Sequence, residues 1–369
     1  MKKNNFQFSI FNCFHSESQT LIFNTIVKSQ LLRGFCFRKN LIFSFVFCIA
    51  FLSVACAQVS MQDFRVMFYN VENLFDTVDD PETNDDEFTP SGARRWTPRR
   101  YNAHLNQTAR VVLAVGEWDT PALVGLCEVE NDSVVIHLIN RTPLRRQNYR
   151  YCITTGIDPR GINVVLLYQR DKFQYIEHQS KRIPFSQPNR RSRDILHVTG
   201  RIISGDTLDV FVCHFPSRSG GEKETEQARL DAAGYLRHLC DSIYSQREKT
   251  CILLMGDFND EPTDKSIQMI LNSNDSQRDL VHLFADKKIL NNPGTYKYQS
   301  EWNQLDQMMI SRSMASYLKD GNPRIFNPSF LLTSDRTNRG QRPKRIYYGF
   351  KYEGGFSDHL PIVADFRIN

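Results

Sequence analysis

The sequence predicts a layered α/β fold, and three observations carry that prediction. Seven short runs, at 64–69, 122–127, 162–168, 208–213, 251–255, 307–310 and 362–366, are mostly β-branched, aliphatic or aromatic and read as strands. Two longer stretches, 101–118 and 224–244, repeat apolar residues at a spacing near 3.6 and read as helices. Strand runs with so little polar alternation are buried on both faces, and helices are what cover them. Periodicity leaves one sheet or two open. The composition agrees: 41% hydrophobic and 24% charged residues with 18 Gly and 15 Pro in 369 exclude disorder, collagen-like repeats and a polytopic membrane protein.

In chain order, the first element is an address. Arg38 and Lys39 precede an uncharged apolar run at 41–52, too short to cross about 30 Å of hydrocarbon as a helix but suited to a signal-peptide core. Ala55-Cys56-Ala57 then offers a small-x-small cleavage site with Gln58 as the first mature residue. The protein is therefore expected to be exported, periplasmic or secreted, with residues 1–57 as the signal peptide region and 58–369 as one catalytic domain without linker or repeat. Cys56 opens an alternative, a lipoprotein anchored through that thiol, although Ser53 three places earlier is a poor match for it. The stretch ahead of Arg38 exceeds an ordinary leader, so translation is expected to begin further in.

Residues 1–57 hold six Lys or Arg and one acid, which leaves 40 basic and 40 acidic residues from Gln58 onward. The mature body is neutral, so any binding of phosphates has to be local. After 64–69, residues 76–100 set a block of acids before Arg94, Arg95, Arg99 and Arg100 and read as a solvated loop. Arg190, Arg191, Arg193 and the stretch 336–345 read as solvated basic faces. Five cysteines, Cys127, Cys152, Cys213, Cys240 and Cys251, lack any C-x-x-C pair; they indicate neither a disulfide framework nor a zinc site. Four stand in apolar runs and are expected as buried free thiols.

Polar residues able to hold a metal fall at the ends of the β runs: Asn70, Glu128, His214, and Asp257 with Asn259. Each alone has a plainer reading, as a turn residue, a solvated acid or a satisfied histidine. As a set, with Asp306 and Ser357-Asp358-His359, they come in an order and context that resemble the endonuclease/exonuclease/phosphatase superfamily, the deoxyribonuclease-I-like metal-dependent phosphoesterases. The matching motifs are Phe-Tyr-Asn-Val-Glu-Asn at 68–73, Leu-Cys-Glu-Val at 126–129, Gly-Ile-Asn-Val-Val-Leu-Leu-Tyr at 161–168, Cys-His-Phe-Pro-Ser-Arg at 213–218, Gly-Asp-Phe-Asn at 256–259, Leu-Asp at 305–306 and Phe-Ser-Asp-His-Leu-Pro at 356–361. They span 64–366.

The resemblance implies a four-layer α/β/β/α sandwich with its active site at one end of the paired sheets. It implies Glu128 as principal ligand of a divalent cation, Mg²⁺ with Mn²⁺ as a substitute, with Asn70 beside it and Asp358 at the same centre. Oxygen ligands suit such a hard cation. It assigns the attacking water to Asp257, the phosphate or nucleophile to Asn259, and contact with the scissile phosphate to His359 steered by Asp306. His214 assists phosphate binding or the leaving group. Arg218 and Arg160, near matched motifs, read either as phosphate or substrate contacts or as surface residues, and Glu72 stands where some members place an aspartate at the metal and others have unrelated residues. Leu-Asp-Gln at 305–307 departs from the pattern, in which an aromatic often follows the aspartate.

The activity this implies is metal-assisted hydrolysis of a phosphate ester, with nucleic acid as the expected partner and substrate. Phospholipid headgroups such as sphingomyelin, or inositol phosphates, are the alternative, and a non-catalytic binding protein on the same fold is a third reading. No exposed aromatic hairpin of the sort that docks on membranes stands out in the sequence, which favours nucleic acid. No obligate protein partner is indicated, and a monomer is expected.

Overall fold

Residues 62–285, 292–319 and 323–368 are described in this computed structural model, so the leader expected over 1–57, with Cys56, lies outside the described residues. Six strands form a first sheet in the order β13 (Arg324–Ile325), β18 (Ile362–Ile368), β1 (Gln62–Leu74), β2 (Leu123–Val129), β4 (Asn163–Tyr168) and β3 (Arg150–Ile153). A second sheet runs β5 (Phe173–Lys181), β6 (Ile195–Ile202), β7 (Thr207–His214), β8 (Cys251–Asp257), β12 (Asp306–Ser311) and β9 (Leu280–His282). Three hairpins stand outside both: β10 (Tyr296–Tyr298) with β11 (Glu301–Asn303), β14 (Leu332–Ser334) with β15 (Gln341–Pro343), and β16 (Tyr347–Tyr348) with β17 (Lys351–Tyr352).

Side-chain alternation places the two sheets face to face. On β8, Cys251, Leu253 and Met255 join the large core shared with the first sheet, while Ile252 and Leu254 join a second core under the helices. On β7, Leu208, Val210 and Val212 face the first core, and Phe211 and Cys213 the second. The sheets meet closely at Gly125 of β2, where an added Cβ would lie 2.9 Å from the sulfur of Met255.

Helix α1 (Pro98–Gly116) covers the first sheet together with α2 (Asp132–Arg141). Helices α3 (Glu222–Gln246) and α4 (Lys265–Leu271) cover the second, and a single turn, α5 (Arg312–Ala315), follows β12. The result is the expected four-layer sandwich. Thr97 caps α1 by accepting from the Arg100 N–H with Pro98 next to it, and Asn131 caps α2 by accepting from Val134.

All seven expected strands form. Others were not legible. β5 is an edge strand whose only buried residue is Phe173, so it carries no apolar alternation to detect. β6 runs through Gly200, which is required because a Cβ there would meet the Phe173 ring at 2.2 Å. The helix expected over 101–118 ends earlier: Glu117 takes a φ of 56° and Trp118 is fully exposed. Nor are residues 76–100 simply solvated. Trp96, Phe88 and Asp85 are buried, with Phe88 stacked on Phe75 at 4.4 Å and the Trp96 indole N–H donating to the Phe75 carbonyl at 3.0 Å. An aromatic hairpin is also present after all, since Tyr348 and Phe350 on β16–β17 are 43% and 74% exposed. The five cysteines are buried and unpaired.

Candidate active site

Strand register builds half of the cluster. His214 at the end of β7 is paired with Asp257 at the end of β8, and Asp257 with Asp306 at the start of β12, so the three form one row across the second sheet. All three are in phase with the residues facing the other sheet. Gly256 permits this spacing, because a Cβ there would meet the Cys213 carbonyl oxygen at 2.4 Å.

The first sheet supplies the other half through irregular backbone. Asn70 and Cys127 are register partners, after which the pairing of β1 with β2 shifts, and Glu128 sits where β2 slips against β4. Glu128 has a φ of 63°, Glu72 of 54° and Asn73 of 55°, and on the second sheet Asn259 takes 52°. Four non-glycine residues in the left-handed region around one cluster is strain held by the surrounding structure, and bulges of this kind re-aim side chains.

The side chains converge on one oxygen. Asp257 Oδ2 accepts from Asn70 Nδ2 at 3.1 Å and faces His214 Nε2 at 3.7 Å and His359 Nε2 at 3.8 Å. Glu128 Oε1 lies 3.4 Å from Asn70 Nδ2 and 4.0 Å from His214 Nε2, and its Oε2 accepts from the Asn73 N–H at 2.9 Å. His359 Nδ1 is 2.8 Å from Asp306 Oδ2, and the Tyr296 ring lies 4.9 Å from the imidazole. Ser357 ties the loop to β1 by donating to the Asn70 carbonyl at 2.7 Å while accepting from the His359 N–H.

Charge follows from these surroundings. Burial pushes the Asp257 carboxyl up to about 7, against the pull of the His359 charge. Burial disfavours a charge on His359 too, but Asp306 and Asp257 outweigh it and hold the ring well above its usual value. His214 goes the other way: burial, then the charges of Arg193 and Arg160, drive it well down, so it is a neutral ring whose Nε2 faces two carboxylates.

The remaining expected residues lie at the margins. Asp358 is held by the Arg345 guanidinium at 2.6 Å, and Arg345 also approaches Glu72 at 3.6 Å. Glu72 accepts from the Ile346 N–H at 2.8 Å, so its carboxylate clamps the 345–358 loop to β1; burial, then the charge of Asp358, raises its pKa. Arg218 is not in the cluster. Its Nε donates to the Asn259 carbonyl at 2.6 Å, and its Nη2 reaches Asp264 at 2.7 Å and Asp260 at 3.1 Å, which makes it a strut under the Asn259 turn. Arg193 is no solvated face: it is buried behind His214, donating to the His214 and Phe215 carbonyls and to Asp158. Arg160 is partly exposed beside the same Asp158.

Sequence reasoning missed Arg345 as a bridge, because its two carboxylates are far away in the chain or hidden in a motif. It also missed the buried Arg229, which pairs with Asp260 at 2.7 Å behind the turn. The Gly-Asp-Phe-Asn-Asp run was the signal available for the second of these.

The donor set fits a hard divalent cation. One ligand atom each from Asp257, Asp306 and His359 lies within 4.8 Å of the others, and Asp306 Oδ1 is buried with no hydrogen-bond partner. Because His359 Nδ1 is engaged by Asp306, the oxygens with lone pairs to spare are those of Glu128, Asp257 and Asp306. Oxygen donors of this kind suit such an ion.

Fold and cluster together define an α/β-sandwich hydrolase of phosphate esters. Residues 65–367 match the family model described as the Endonuclease/Exonuclease/phosphatase family, and the chain belongs to that family. Among solved structures it is similar to truncated TDP2 of Caenorhabditis elegans, with a TM-score of 0.53 and 15% identity over 83% of this chain and 98% of that one. An endonuclease/exonuclease/phosphatase family protein of Bacteroides thetaiotaomicron matches with a TM-score of 0.53 and 14% identity over 84% and 99%. The mannosyl-6-phosphatase of the same organism matches with a TM-score of 0.52 and 15% identity over 82% and 99%. At these identities the structural likeness speaks for the fold alone. No curated protein matches the sequence.

Proposed function

We propose that this protein is an exported, Mg²⁺-dependent phosphoesterase that hydrolyses the phosphodiester bonds of nucleic acid by in-line attack of water. The observation that supports this reading is the convergence of Asn70, His214 and His359 on Asp257 Oδ2, with His359 backed by Asp306 at 2.8 Å. Asp257, lifted toward neutrality by burial, accepts the proton of the water. Asn259, whose Nδ2 is spent on the Phe215 carbonyl at 3.1 Å, keeps its side-chain oxygen to orient that water. His359, held charged by Asp306, donates from Nε2 to a phosphoryl oxygen and offsets the charge that develops there. Neutral His214 presents Nε2 between Glu128 and Asp257, where it can serve a phosphoryl or leaving-group oxygen. Glu128 would hold the cation with Asn70 beside it, the free oxygens of Asp257 and Asp306 within the same cluster and Asp358 at its margin, and a cation bound there would supply Lewis-acid polarisation of the phosphoryl oxygen and charge for the departing alkoxide.

Exposed Tyr348 and Phe350 favour a second reading, hydrolysis of a phospholipid headgroup at a membrane surface. The test is a panel of plasmid DNA, RNA, sphingomyelin, inositol phosphates and mannose 6-phosphate, incubated with the purified protein in Mg²⁺ or in chelator. Cleavage of DNA or RNA that chelator abolishes is expected; cleavage of lipid or monoester without nucleic acid overturns the substrate. A bis-aryl phosphodiester that is hydrolysed by the protein but not by His359→Ala separates an enzyme from a binding protein.

A further inference from the structure

Many of the arginines of this fold are paired with acids: Arg193 with Asp158, Arg229 with Asp260, and Arg65 and Arg324 with Asp365. One solvent-facing surface gathers cations without such partners, with Arg95, Arg99 and Arg110 exposed and Arg100 and Lys344 half-buried. Arg95, Arg99, Arg110 and Lys344 have no carboxylate partner among the described residues, and Arg100 is turned onto the Arg94 and Arg95 carbonyls at 2.6 and 2.9 Å. These five cations line two adjoining cavities of about 610 and 340 Å³ that share Gly354, and no acidic residue lines either one. In a mature body with equal numbers of acids and bases, such segregation is a local electrostatic footprint.

The cavities form one groove between α1 and the segment 329–356. Arg99, Ala103, Gln107 and Arg110 fall on a single face of α1, and Arg99 and Arg110 are about 16 Å apart along its axis. The helix carries the chain from the catalytic end of β1 back to the start of β2, so its first turn lies at the catalytic end. The opposite wall continues directly into Asp358 and His359. Aromatic rings complete the lining: the Arg100 guanidinium lies 4.3 Å from the Tyr352 ring, and that of Arg110 lies 4.6 Å from Phe330 and 5.7 Å from Phe356.

We propose that this groove is an anion-binding site for the sugar-phosphate backbone of a single nucleic-acid strand whose scissile phosphate lies at the catalytic cluster. The inference deepens the nuclease reading and rests on it. A row of unneutralised cations, two of them held in place over aromatic rings, matches the run of phosphates along a strand. The concavity argues against a bilayer, which is flat and meets protruding side chains. A groove of this length also exceeds what a single small anion occupies.

The experiment measures binding of a fluorescent twelve-residue oligothymidylate to the full protein in EDTA, where turnover is absent, over a range of salt. Arg95→Gln with Arg99→Gln, and Arg110→Gln with Lys344→Gln, are each expected to weaken binding. Each pair is also expected to flatten the slope of log K against log salt by about 1.4, since each phosphate contact to a single strand contributes about 0.7. Arg170→Gln, an exposed cation beyond β4 at the opposite end of the sandwich, is expected to keep the wild-type slope. The groove is overturned if the paired variants keep that slope, if Arg170→Gln flattens it equally per charge removed, or if they weaken only binding to vesicles of anionic phospholipid. A protein that hydrolyses the bis-aryl ester but binds no oligonucleotide also overturns the groove and spares the phosphoesterase. Groove-dependent oligonucleotide binding by a protein that hydrolyses nothing supports the groove and overturns the phosphoesterase.

Discussion

Asp209 and Asp257 occupy adjacent strands of the second sheet, are both closed off from water, and meet opposite surroundings. Asp209, on the face of β7 turned toward α3, accepts from Thr199 and His197 at 2.9 Å and is gripped by Arg247. Burial acts to raise its pKa, but the hydrogen bonds from His197 and Arg247 prevail and hold it below the ordinary carboxylate value. Asp257, at the far end of β8 on the face toward the other sheet, has no lysine or arginine partner, and burial lifts its carboxyl to about 7. One residue type therefore serves stability at one end of the sheet and chemistry at the other. What separates them is the company each keeps, since a buried carboxylate that no guanidinium grips is costly to charge and tends to mark a working site.

The sharpest way to break this contrast is to neutralise each carboxylate in turn. Asp257→Asn is expected to lower kcat on the bis-aryl ester by about 10²–10⁴-fold. Its urea midpoint in chelator should stay level or rise, because the variant removes a charge that folding had to desolvate. A fall in that midpoint would remove the distinction. Gly256→Ala comes next. Its Cβ would strike the backbone of the neighbouring strand, so it should displace Asp257 from the row and cost both activity and about 1–3 kcal/mol of stability, read from kcat and urea titration together.

Asp209→Asn should do the reverse of Asp257→Asn: a loss of about 1–3 kcal/mol with kcat on the same ester little changed, because it leaves Arg247 without its charge partner and weakens the hydrogen bonds that Thr199 and His197 make to the carboxylate. The sign with pH is determined. A carboxyl whose folded pKa is depressed contributes stability above its unfolded value, near 3.9, and loses it as pH falls through the folded value. The gap between wild type and Asp209→Asn should therefore be full at pH 7 and shrink as urea titrations are repeated from pH 4 downward; a gap that widens in acid would refute the pairing.

The smallest effect is expected for Arg218→Ala. As a strut under Asn259 it should lower kcat by about tenfold, within the cost of a small misplacement, with KM nearly unchanged. A rise in KM at constant kcat would return Arg218 to the substrate contact that its motif suggests.

Much of the fold was legible because apolar runs declare themselves locally. The apolar bodies of β1, β2, β7 and β8 could be located, and with them Asn70, Glu128, His214 and Asp257 next to them, although β1 and β2 run on past Asn70 and Glu128 to Leu74 and Val129. What could not be read depended on distant residues. The motif around Arg218 gives no hint that Asp260 and Asp264, more than forty positions on, would claim its guanidinium. The same holds for Arg345, suspended between Glu72 and Asp358, and for Arg193, which looks like part of an exposed basic run yet lies behind His214. β5 escaped notice because an edge strand owes its existence to a neighbour rather than to its own pattern.

By itself the sequence determined the layer type, the main strands and helices, and an inventory of polar side chains at strand ends, because backbone propensity and apolar spacing act between residues a few positions apart. Only the tertiary structure decided that His214, Asp257 and Asp306 share one row, that Glu128 and Asn70 turn toward them through slipped registers, and that arginines go unpaired along α1. Strand register has a period of two, so a slip of one residue would turn the whole row to the opposite face. The charge on each side chain is likewise set by partners that only folding brings within a few ångströms.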